Sequence, residues 1–272
     1  MGSRTIRLFA PVALLSLSAL WAPAGAWNNA AHAQSAKETS TRRDAELKIF
    51  TDEQVIEGFL KITFGAELRA ERRADRLRKF EVPVRLFVTS QDEPDRRHQI
   101  AEIVADIGKR IRNIDIAITQ VRSEANVIVT LVHDRDLDTK IRSVYGRERA
   151  RKIQRSLEPQ CLAGITNDDR YRIQHSEVIL VVDAGDFVFY DCAYEEILQA
   201  LGPINDDNSV PWTMFNDDVS MGFFDVYDQI LLNLLYDPRL RPGMTQQETR
   251  ELLPKILPDV RAFVAGTNDL PR

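Results

Sequence analysis

Cysteine is scarce in this chain: Cys161 and Cys192 are the only two in 272 residues. Neither has a histidine beside it in sequence, which argues against a nucleophilic cysteine. Positive charge is in deficit as well, with 36 Lys and Arg against 41 Asp and Glu and a net charge of −5. A dedicated nucleic-acid binder carries the opposite balance. Beyond the N-terminal region no apolar run reaches the roughly 20 residues that cross a bilayer. No internal repeat and no EF-hand spacing occur, so no standard calcium loop is encoded.

What is present begins with an address. Arg4 and Arg7 precede a short apolar core over residues 8–20, and Ala31-His32-Ala33 supplies a small-x-small cleavage pattern before Gln34. The core contains Pro11 and is short for a membrane span, which favours a cleaved signal peptide (1–33) over a retained anchor. No cysteine lies near the cut, which excludes a bacterial lipid anchor there. The expected product is periplasmic or secreted, without a transmembrane segment, and more acidic once Arg4 and Arg7 are gone. In an oxidising compartment an even cysteine pair reads first as a disulfide, with two buried thiols as the alternative. Residues 34–47 are small and polar and read as a flexible linker.

Regular patterning starts at Thr51-Asp52-Glu53-Gln54, a capping-type helix start followed by Val55, Phe59, Leu60 and Phe64. The dense charge over 68–79 reads either as a landing patch for an anionic surface or as a solvated, locally paired segment. The pattern then predicts a strand (83–89), a helix (96–111) with Ile100, Ile103, Val104 and Ile107 on one face, and strands at 116–121 and 125–132. The second of these is apolar enough for burial on both faces. A polar, peripheral helix (135–156) broken near Gly146 follows, then a strand at 176–182. The next helix spans about 187–201, with Tyr194, Ile197, Leu198 and Leu201 on its buried face and Cys192, Glu195, Gln199 and Gly202 opposite. Gly202-Pro203 stops it. An Asn/Asp-rich loop (205–218), a helix (223–236) and a last helix opening at Thr245-Gln246-Gln247-Glu248 complete the chain.

The stretch Glu195-Glu196-Ile197-Leu198-Gln199-Ala200-Leu201-Gly202-Pro203-Ile204-Asn205 resembles the metal-binding helix of zinc proteases of the zincin and metzincin type. Glu195, Gln199 and Asn205 stand where that frame has its three zinc histidines, Glu196 where it has the general base, and Gly202 where it has its glycine. Met214, in Pro211-Trp212-Thr213-Met214-Phe215-Asn216, falls where metzincins place a Met-turn. The resemblance implies an α+β, metzincin-like single domain over 48–265. Its upper subdomain (48–202) would hold a mixed sheet, a backing helix and the frame helix, with a small helical lower subdomain (203–265). The chain also resembles a proteobacterial family of exported proteins of unknown function, over roughly 50–263. Cys192, the run 195–203, Phe215-Asn216-Asp217-Asp218 and the run 235–244 carry that likeness, which implies export but no established activity.

The departures decide the chemistry. Zinc takes thiolate, imidazole or carboxylate, and a catalytic site needs three such ligands plus water. Glu195 qualifies, whereas Gln199 and Asn205 offer neutral amides, so no zinc, other metal or cofactor is expected. His98, His133 and His175 lie outside the frame. Oxygen ligands for a hard cation are conceivable from Glu195, Asn205, Asp206, Asp207, Asp217 and Asp218, but Asn and Asp also build turns by bonding their own backbone. The expectation is a non-catalytic binding or scaffold protein of the envelope, partnered by an envelope protein or peptide and not by nucleic acid. The alternative is an envelope peptide or glycan hydrolase with Glu196 as general acid or base.

Overall fold

A computed structural model describes residues 50–64, 75–90, 94–156 and 160–268. The signal, the linker and most of the charged run lie outside the described residues. At the centre is a five-stranded sheet of order β2-β1-β3-β5-β4, made of β1 (Val84–Ser90), β2 (Ile116–Ile118), β3 (Val127–Val132), β4 (Cys161–Asn167) and β5 (Ile173–Val181). The pairs β1–β2, β1–β3 and β3–β5 are parallel, and β4 alone runs antiparallel, against β5. The Val-Ile-Val-Thr-Leu-Val run of β3 lies between two parallel neighbours, as a strand apolar on both faces requires.

Register sorts the side chains onto two faces. Leu86, Val127, Ser176 and Ile165 align on one face, with Val88, Val129, Val178 and Ala163 along the same rows. This face belongs to the main core. Its cover includes α2 (Arg97–Arg110), whose Ile100, Ile103, Val104 and Ile107 recur at helical spacing, and α4 (Asp186–Gln199). The other face carries Leu162, Ile179 and Val181, which cluster with Leu137, Ile141, Ala150 and Ile153 of α3 (Asp134–Ser156) in a separate, smaller core.

Three further helices pack on one another: α1 (Asp52–Thr63), α5 (Val226–Leu235) and α6 (Gln246–Thr267). Thr51 with Gln54 and Thr245 with Glu248 form full capping boxes, so both sequence-read helix starts are stated by side chains that satisfy the first-turn amides. Lys79 closes the far end of α5. Its buried amine donates to the Leu235 and Asp237 carbonyls at 3.0 Å each, satisfying carbonyls that a helix end leaves bare.

Two joints fix α4 to the sheet. Cys161, the first residue of β4, is disulfide-bonded to Cys192, with 5.8 Å between the Cα atoms. Arg96 donates to the Val182 carbonyl and to the Asp186 carboxylate, and stacks 4.9 Å over the Phe189 ring. The end of β5 and the start of α4 are thus held by one guanidinium.

The disulfide and the buried Lys79 each carry a prediction. The cysteines are 31 residues apart, so on the chain-entropy account Cys161→Ser with Cys192→Ser should lower the unfolding free energy by about 3–4 kcal/mol. Denaturant titration of the oxidised parent against the double variant measures it, and coincident curves would refute it.

Burial pulls the Lys79 ammonium down to about 8 from an ordinary value of 10.5. Between those two pH values the unfolded chain binds more protons than the folded one, so this group makes stability rise with pH. The parent should therefore gain stability relative to Lys79→Met from pH 8 upward, by no more than about 3 kcal/mol, and the difference should be flat below pH 8. Thermal melts of both proteins at a series of pH values read it, and a difference that is flat above pH 8 as well would refute it.

Candidate functional site

Helix α4 and the loop after it carry the frame residues. Gly202 has a φ of +142°, and a β-carbon there would sit 2.5 Å from the Arg78 carbonyl oxygen. Only glycine admits that backbone approach together with the turn out of the helix. Sequence spacing predicts a polar stripe through Cys192, Glu195, Gln199 and Gly202. Instead Cys192, Gln199 and Gly202 are buried and only Glu195 is partly open. The disulfide covers Cys192 and the returning loop engages Gln199, so the second half of α4 is enclosed while Phe187 at its start is exposed.

The frame residues part company. The Gln199 amide donates to Asp206 at 2.8 Å, and Gln199 itself is 2 % exposed. Asn205 turns the other way: its side-chain amide donates to the Lys61 carbonyl and its backbone amide to the Ile62 carbonyl, at the end of α1. Glu196 is 6 % exposed. Glu195 carries the one frame carboxylate that meets other acids. Its oxygen and those of Asp206 and Asp217 lie within 4.8 Å of one another.

Most remaining acids and amides of the loop build turns. Asp207 accepts from the Ser209 backbone and hydroxyl, Asp218 accepts from Asn208, and Asn216 accepts from the Asp218 amide while donating to the Val210 carbonyl. Asp207 and Asp218 therefore stand apart from the three-acid cluster. Met214 is 2 % exposed, within the main core, and Phe215 beside it is fully buried. The turn is held by Asp228 of α5, whose carboxylate accepts from the Thr213 hydroxyl and, at 2.8 Å, from the Met214 amide. Asp225 caps the same helix by accepting from the Asp228 amide. Sequence reading passed over both acids. The signal was Asp225-Val226-Tyr227-Asp228, an N-cap residue with an acid three places on.

Chemically, three close carboxylate oxygens suit a hard cation, and calcium would draw the rest of its six to eight ligands from carbonyls or water. They do not suit zinc at the frame positions, where two of the three places hold amides already bonded to the fold.

Sheet, crossing helices and an acid-rich return loop define a single mixed α/β domain built round a disulfide-anchored helix. The chain belongs to the family described as "Protein of unknown function (DUF2927)", which it matches over residues 52–255. No curated protein matches the chain. Among the described residues no helix is long and apolar enough to cross a membrane.

The donor set predicts that the dialysed protein carries no stoichiometric zinc. Elemental analysis checks this; near-equimolar zinc, removed by chelator together with structure, would overturn it.

Proposed function

We infer that this chain is an exported, non-catalytic binding protein of the cell envelope, on a zincin-like scaffold, and that its ligand is an extended segment of an envelope protein. The observation that carries the reading is what the frame residues do. Gln199 and Asn205 spend their amides on Asp206 and on the end of α1, and Glu196 is buried. A general base must reach the proton it removes, directly or through one water. A catalytic zinc needs three anionic or imidazole ligands and an open position.

The element order supports the scaffold: β1, α2, β2, β3, α3, β4, β5 and then the frame helix α4, followed by a turn with a buried Met214. The binding mode follows from the sheet edge. β4 pairs with β5 on one side, and among the described residues no strand pairs with the other. It is also bonded to α4 at Cys161, so the edge and the frame helix are covalently joined. An extended segment adds to such an edge through main-chain hydrogen bonds, with side-chain pockets setting its sequence.

The test is Glu196→Gln, close to isosteric, in a complementation assay of a strain lacking the protein. Full complementation is expected. Loss of complementation by a variant that melts with the parent would replace this reading with the hydrolase, in which Glu196 acts as acid or base on envelope peptide or glycan. Co-purification from the periplasm, read by mass spectrometry, identifies the bound segment.

A further inference from the structure

On the sheet face away from α4, helix α3 covers only part of the strands and leaves a cavity of about 570 Å³ between itself, β4, β5 and the short 3-10 turn Arg122–Glu124. That volume lies within the range of small-molecule sites, roughly 300–1,000 Å³. We propose that this cavity is a binding site for a small polyanion carrying two or more carboxylate or phosphate groups, held by Arg122, Lys140 and Arg149.

Charge is the first argument. Among the described residues, three cations line the hollow against one acid, Glu177, in a protein whose net charge is −5. Glu177 is itself engaged by the His175 ring at 2.9 Å, so it does not pair with the cations across the cavity. Elsewhere on α3, Arg135 has Asp136 close by, Arg142 has Asp138 and Lys152 has Glu148. Arg122 and Lys140 make no ion pair among the described residues. The Arg122 guanidinium instead lies 5.8 Å over the Phe87 ring, which holds it at the rim. Arg122 and Lys140 thus border one half-open hollow.

Backbone geometry is the second. Lys140, Ser143 and Val144 share a face of α3 at helical spacing, and the next residue on that face of an unbroken helix would be Arg147. The helix kinks at Gly146, with a φ of +77°, and past the kink Arg147 is exposed while Arg149 lines the cavity. The kink thus brings a second helical cation to the hollow. Tyr145 forms the wall beneath it: its hydroxyl lies so near Gly164 that a β-carbon there would come within 2.4 Å, and Arg149 stacks 5.1 Å over its ring. A guanidinium presents a planar fork of donors suited to planar or tetrahedral oxyanions.

Isothermal titration of the full mature chain with citrate and, separately, with inorganic pyrophosphate tests the proposal. Saturable one-site binding of at least one probe is expected, and which of them binds tells a carboxylate ligand from a phosphate one. Arg122→Gln with Lys140→Gln should weaken it by roughly tenfold or more, since each lost charge-assisted contact is worth that order. The melting temperature should not change. If that variant fails to fold, Ser143→Asp, at an exposed position of α3, serves instead and should weaken binding by charge repulsion. Absence of saturable heat with both probes at millimolar concentration, or a folded variant that binds as the parent does, would overturn the proposal.

Discussion

The C-terminal end of α4 is buried and has no water to satisfy its carbonyls, and the architecture around it answers that constraint. Its last turn and the residues after it are closed by other elements. The Ser176 hydroxyl of β5 donates to the Ala200 carbonyl, and the Tyr236 hydroxyl, past the end of α5, donates to the Leu201 carbonyl. At its start Arg96 reaches from the segment before α2 to Asp186. Sheet, backing helix and the three-helix group each give one polar group to the same helix. Removing either hydroxyl would leave a buried carbonyl without its partner, which costs more than the bond itself contributes. The segment before α4 in sequence and the one after it are therefore positioned by the needs of its backbone.

The same economy explains the acids. This is an acidic chain, yet the buried Asp225 and Asp228 are structural fasteners. Asp225 starts α5, and Asp228 ties that helix to the turn at Thr213 and Met214. Asp207, Asn216 and Asp218 fold the loop on itself. Once these are accounted for, the loop's acids reduce to Asp206 and Asp217 beside Glu195. Among the described residues, these three carboxylates are the ones that gather within 4.8 Å of one another.

What could be read from the chain was whatever depends on local pattern. The burial of β3, the apolar stripe of α2, both capping boxes and the break in α3 all follow from residues within a turn or two of one another. β4 was missed. Its Cys-Leu-Ala-Gly-Ile-Thr-Asn sequence holds a glycine and small residues, and it is a strand because β5 lies beside it. The 3-10 turn Arg122–Glu124 likewise shortens two strands that spacing had run almost together. At the site, the special character of residues 195–205 was visible, but the direction each side chain takes was not. Asn205 faces α1, 144 residues earlier in the chain, and no local rule anticipates that. The cationic cavity was hidden for a related reason: it exists because a kink turns one helix, and its parts come from four separate stretches of chain.

The disulfide has one more implication, for how the chain reaches this state. With two cysteines there is a single intramolecular pairing, so oxidation meets no wrong isomer and requires no reshuffling. The bond closes around β4, the short connection to β5, and the first half of α4, all within one local hairpin-and-helix stretch. Contacts of low sequence separation cost the least chain entropy to form. The pace of oxidation is then set by how quickly that one stretch folds back on itself. The oxidative error left to a chain of this kind is to pair with a second molecule.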